Sequence, residues 1–155
     1  MRIGGATVLA AWACALAAGA APAAAQTCPH PGTVNGISVL IYCGHAKATV
    51  KAGAKTFSLK NGLCKVAAGN FYLSFGDVVQ QPTKHAPDSL LVIATATHDG
   101  SYSGTTVMMT RTGKSYLGDP LTLALTHATK AGTVTGTIEP TLTNGKLAFR
   151  LTFSC

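Results

Sequence analysis

The segment KLAFRLTFSC, residues 146–155, decides the fold class of this chain. From position 147 to position 153 every second residue is Leu or Phe, and Arg150 and Thr152 stand between them. Because successive side chains of a β-strand point to opposite sides, this alternation predicts a strand with one buried and one solvated side. The segment PLTLALTH, residues 120–127, repeats the pattern. Such strands are typical of antiparallel sheets.

Similar segments follow one another after residue 26, separated by Gly, Asn or Asp, and none of them has the period and caps of a helix. We therefore predict one all-β domain over residues 26–155. It is expected to be an antiparallel β-sandwich, with a β-barrel as the alternative, braced by two disulfides. The predicted strands are 36–42, 46–51, 55–60, 70–79, 89–97, 102–110, 114–117, 121–127, 133–139 and 146–153.

The first 25 residues have the composition of a signal peptide. Arg2 gives a positive start, an Ala-rich apolar stretch follows over 6–18, and small residues stand before Gln26. Cleavage after Ala25, or after Ala23, leaves a chain with no second long apolar run. The sequence thus predicts a protein that is exported, either secreted or held in the periplasm or cell envelope, with no transmembrane span in its mature part.

Four cysteines remain after the leader, namely Cys28, Cys43, Cys64 and Cys155, and an even number in an exported chain predicts two disulfides. Three pairings are open. Cys43 can join Cys155 and leave Cys28 for Cys64, or Cys43 can join Cys64 and leave Cys28 for Cys155. The alternative is a metal site formed by the units CPH and CGH, which contain Cys28, His30, Cys43 and His45. One residue between ligands is tighter than structural zinc sites use, and an oxidising compartment disfavours free thiolates.

The chain is basic, with a formal net charge of +7, and five of its nine lysines fall within nineteen residues. These lysines form a candidate surface for an anionic partner, such as an acidic envelope polymer or protein. Nucleic acid is disfavoured because only Phe57 lies among them to stack on bases. The alternative is a solvated strand edge that prevents edge-to-edge pairing. The residues are Lys47, Lys51, Lys55, Lys60 and Lys65.

Residues suited to catalysis are few and scattered. His98 and Asp99 have Ser101 and Ser103 nearby, and the long polar loop over 81–89 contains His85. Neighbours in sequence do not by that fact converge in space, and no strand–Ser–helix turn is present to expose a nucleophile. The sequence therefore predicts no catalytic residue and no cofactor.

Three segments resemble a known group of proteins: SVLIYC (38–43), HDGSYSGT (98–105) and FRLTFSC (149–155). They are similar to small exported bacterial β-proteins related to the mycobacterial lipoprotein antigens, over about residues 36–155. The resemblance implies an envelope domain without catalytic residues, and it favours the pairing of Cys43 with Cys155. A lipidated cysteine anchors that family, whereas Trp12 stands two residues before Cys14 here and departs from the lipidation pattern.

The expected function is that of an exported, non-catalytic β-domain of the bacterial cell exterior, which binds a partner or belongs to the envelope. One alternative is a secreted inhibitor of a hydrolase, whose target would have to be acidic because this chain is basic. The other alternative is a small hydrolase that uses His98 or His85.

Overall fold

The computed structural model describes residues 29–34, 36–79 and 88–155. These residues form antiparallel strands joined by turns, and the described part of the chain contains no helix. The predicted signal peptide over 1–25, together with Cys28 and His85, lies outside them. The strands are β1 His30–Val34, β2 Ile37–Ile41, β3 Ala46–Ala52, β4 Lys55–Ala67, β5 Asn70–Val79, β6 Ser89–Ala94, β7 Gly100–Arg111, β8 Lys114–Thr126, β9 Ala131–Pro140 and β10 Leu147–Ser154.

Eight of the strands close into an antiparallel barrel. Each strand from β3 to β9 pairs with the next one along the chain, and β10 returns to pair with β3. The hairpin of β1 and β2 lies outside this ring, where β2 pairs with the last residues of β5. The prediction of an all-β antiparallel fold is confirmed. Of the two forms considered, the structure has the alternative, a β-barrel, and not the β-sandwich.

The barrel interior is filled with apolar side chains. In β10 the buried residues Phe149, Leu151 and Phe153 alternate with exposed ones, as the sequence pattern of residues 146–155 predicts. The rings of Phe71 and Phe153 stack inside with their centroids 5.5 Å apart. Each such fully buried side chain stabilises the fold by about 1.5–3 kcal/mol. The largest completely buried residues are Phe71, Phe75, Leu73, Leu90, Leu123, Leu125, Ile138, Leu151, Val50, Val92, Val107 and Val134.

Two predicted strand boundaries are wrong because bulges replace turns. The segment KNG, which predicts a turn after residue 60, is a bulge in β4: Asn61 has φ 60° and the pairing with β3 shifts there. The predicted strands 114–117 and 121–127 are one strand, β8, with an irregular register around Pro120. A bulge lets a strand bend and continue, which barrel closure requires. The prediction also missed β1, because Pro31 and Gly32 are unfavourable in most strands, although an outer strand tolerates them.

The disulfide prediction is corrected in its pairing. Cys64 is bonded to Cys155, a bond that belongs to neither of the two pairings written out from the sequence. Those two are therefore wrong, including the bond between Cys43 and Cys155 that the resemblance implies. Cys155 lies beside the β8–β9 turn, where its N–H donates to the carbonyl oxygen of Lys130 at 2.7 Å. Ring closure brings this end of the chain next to β4, which the linear order of strands does not reveal. Cys43 is also disulfide-bonded.

Candidate functional site

Strand β3 presents a polar outer side. Its inward residues are small or apolar and buried, whereas Lys47, Thr49 and Lys51 point outward and are exposed. Buried and exposed residues therefore alternate along β3, as the sequence predicts. Its neighbours on either side are β10 and β4, so the chemistry of this surface depends on which residues they place opposite the three outward positions.

The register of β3 with β10 places Lys51 directly opposite Arg150. Both are exposed, and side chains opposed in this way start from Cβ atoms about 4.5–5.5 Å apart. On its other side Lys51 is opposite Thr56 of β4, and Arg150 is opposite Thr135 of β9. Two like charges in directly opposed positions destabilise a sheet, so their presence calls for a reason other than folding.

A second pair of cations lies at the other end of β3. Lys47 and Lys60 line one groove of about 370 Å³ on the outside of the barrel. The bulge at Asn61 shifts the pairing between β3 and β4 at this point, and Lys47 faces Ser154 on β10. Residues of β3, β4 and β10 line the groove, so a ligand there contacts side chains from three strands.

A row of hydroxyl groups crosses the sheet between the two cation pairs. Ser58 is opposite Thr49, Thr49 is opposite Thr152, and Thr152 is opposite Thr133. Hydroxyl groups both donate and accept hydrogen bonds, so the row suits a ligand rich in hydroxyl or carboxylate oxygens. We call this surface the cationic face, and it consists of Lys47, Lys51, Lys60, Arg150, Ser58, Thr49, Thr152 and Thr133.

The charges of the cationic face are not neutralised by the ion pairs of the barrel. Among residues 29–34, 36–79 and 88–155 the ion pairs are Arg111 with Asp88 and Lys146 with Glu139. Arg111 also stacks on Phe57, 4.6 Å from the ring centroid. These contacts lie at the end of the barrel where β7 meets β8 and β9 meets β10. The four cations of the face therefore remain available to an anionic partner.

The structure divides the predicted lysine surface. It brings Lys47, Lys51 and Lys60 together, but Lys55 stands at the β3–β4 turn in a cavity shared with Arg111. Lys65 is opposite Tyr72 and lines a separate, more apolar groove. Arg150, the direct neighbour of Lys51, was missed by sequence reasoning because about a hundred residues separate the two in the chain. Only its outward position in β10 was visible.

His98 and Asp99 lie in the connection between β6 and β7, and their contacts there are structural. The Asp99 carboxylate accepts hydrogen bonds from the backbone N–H groups of Thr129 at 2.8 Å and Ala128 at 3.0 Å, which lower its pKa, and His127 nearby lowers it further. Residues 127–129 all have positive φ, a conformation that costs non-glycine residues about 1–2 kcal/mol each. Asp99 thus holds a strained β8–β9 turn and does not orient His98, whose Nδ1 lies 2.7 Å from the Thr97 hydroxyl.

The alternative metal site is not supported by its ligands. Cys43 is disulfide-bonded, so its sulfur is not a thiolate. His30 lies in β1 and His45 is exposed just before β3. No cluster of three or more His, Cys, Asp or Glu side chains suited to a metal ion occurs in the described part of the chain.

None of the described residues belongs to a helix with the length and apolarity needed to cross a membrane. Comparison with known proteins gives no match, whether to a protein family, to a curated protein or to a solved structure.

Proposed function

We propose that this chain is an exported, non-catalytic binding domain of the bacterial cell exterior that docks on an acidic polymer through the cationic face. The observation that carries the proposal is the cross-strand pair of Lys51 and Arg150. Folding alone disfavours two opposed cations, whereas an anion placed between them gains attraction from both and relieves their repulsion. Proteins commonly retain such unfavourable arrangements at binding sites.

The surroundings of the pair support binding rather than catalysis. The face offers cations and hydroxyl groups, which recognise anionic and hydroxylated ligands but supply no general base or activated nucleophile. The disulfide between Cys64 and Cys155 is typical of a chain that folds in an oxidising compartment, as a domain of the cell exterior does.

The proposal is tested by binding to immobilised polygalacturonate, a carboxylated polysaccharide. We expect the double variant Lys51→Gln, Arg150→Gln to bind at least about ten-fold more weakly, since one desolvated charge contact is worth about 1.5–3 kcal/mol. The wild-type affinity should fall as salt rises, and the variant should show a shallower dependence because fewer counterions are displaced.

The matched control is the double variant Lys55→Gln, Lys65→Gln, which removes the same number of charges from exposed positions outside the cationic face. It should bind like the wild type. Equal binding by the double variant and the wild type, or binding that does not change with salt, would show that the face is not the docking surface. Thermal unfolding of each variant establishes that the barrel is intact.

A further inference from the structure

The cationic face has two centres of positive charge separated along one strand. Lys47 and Lys51 are four residues apart on the same side of β3, which corresponds to about 13 Å in an extended strand. Arg150 adds a second charge at one end of this interval, and Lys60 adds a second charge at the other end. The charge is therefore concentrated at two places rather than spread evenly.

Between the two centres the surface is neutral and hydrogen-bonding. The hydroxyl groups of Ser58, Thr49 and Thr152 stand side by side across three strands, midway between Lys47 and Lys51. A ligand that reaches both charge centres must pass over this row. It must then present groups that exchange hydrogen bonds with hydroxyls, as the oxygens of sugar rings do.

We infer that the partner is a linear acidic polysaccharide that lies lengthwise along β3 and places acidic groups on both charge centres at once. This inference rests on the proposed function and adds to it the length and the class of the ligand. A single anion fills one centre only. A chain that spans both converts the second contact into an intramolecular one, which raises affinity well beyond the sum of two separate contacts.

Two other classes of polyanion fit the face less well. The cationic face contains no aromatic side chain on which nucleic-acid bases could stack. A membrane surface is flat and calls for apolar side chains that insert among lipids. The exposed large apolar residues of the described chain, Val66, Met108, Leu117 and Leu142, are not part of the face.

The test is a series of galacturonic acid oligomers from monomer to octamer, measured by calorimetry against the intact protein. Affinity per carboxylate should rise at least about ten-fold once the oligomer is long enough to span both centres, and then level off. In the variant Lys47→Gln, Lys60→Gln the rise should disappear, while binding of the short oligomers to Lys51 and Arg150 persists. Lys55→Gln with Lys65→Gln, which removes the same charge elsewhere, should keep the rise.

The outcomes separate the inference from the proposed function. If short and long oligomers bind with equal affinity per carboxylate and both depend on Lys51 and Arg150, the inference is wrong and the proposed function stands. If neither the oligomers nor the polymer binds, both are wrong. Tighter binding of oligothymidylate, or of vesicles containing phosphatidylglycerol, than of any galacturonate oligomer would overturn the choice of polysaccharide.

Discussion

Replacing Lys51 by Glu should make the protein more stable while weakening its binding. The substitution turns the opposed cations Lys51 and Arg150 into an opposite-charge pair at the same cross-strand positions. A like-charge pair destabilises and an opposite-charge pair stabilises, each by about 0.2–1 kcal/mol. The two effects have the same sign here, so the free energy of unfolding should rise by about 0.5–1.5 kcal/mol, after allowing for the lower strand propensity of Glu.

Thermal unfolding in low and high salt measures this gain. For a domain of this size, 1 kcal/mol corresponds to about 2–8 °C in Tm. In about 1 M salt the screening length falls to about 3 Å, so most of the gain should vanish. The control is Lys65→Glu, which changes the net charge equally but places the carboxylate opposite Tyr72. Its stability should stay within about 0.5 kcal/mol of the wild type.

Three results would refute this reasoning. The first is a Lys51→Glu protein less stable than the wild type in low salt. The second is an equal gain in Lys65→Glu, which would assign the effect to net charge rather than to the pair. The third is a gain that persists in high salt, which would make it a packing effect. If the gain is seen and affinity for polygalacturonate falls in the same variant, the like-charge pair is retained for binding.

Three further predictions concern the barrel itself. Replacing Cys64 and Cys155 by Ser removes a crosslink with a sequence separation of 91, and urea unfolding should show that the free energy of unfolding falls by about 4–5 kcal/mol. A fall of less than about 1 kcal/mol would contradict the chain-entropy estimate. Gly132→Ala should destabilise by about 1–3 kcal/mol or more, because its Cβ would collide with the Ala124 carbonyl oxygen and the Phe153 ring, and an unchanged Tm would show that the barrel can relax there. Asp99→Asn should be less stable than the wild type at neutral pH. The pKa of Asp99 in the folded protein lies below its ordinary 3.8, so the carboxylate's contribution to stability is complete above about pH 4 and is lost as pH falls through the folded value. The difference in stability between the wild type and Asp99→Asn should therefore narrow in acid. A difference that stays constant with pH would exclude the carboxylate charge as its source.

Much of the fold could be predicted because strand alternation is a local property. The positions of Leu151 and Phe153 inside and of Arg150 and Thr152 outside follow from a period of two residues, which the chain shows over a few positions. The same period of two residues predicts the outward positions of Lys47 and Lys51. The pattern misleads where the backbone departs from that period, as at the bulge of Asn61, which looks like a turn when only its neighbours are considered.

By itself, then, the sequence determined that this protein is all-β, which side of each regular strand is apolar, and that the chain is basic. Only the tertiary structure decided that the strands close into a barrel, that Cys155 meets Cys64, and that Lys51 faces Arg150. The physical reason is that closure and register are set by pairing between segments far apart in the chain. A shift of two residues between β3 and β10 would keep every side chain on its own face yet separate the two cations.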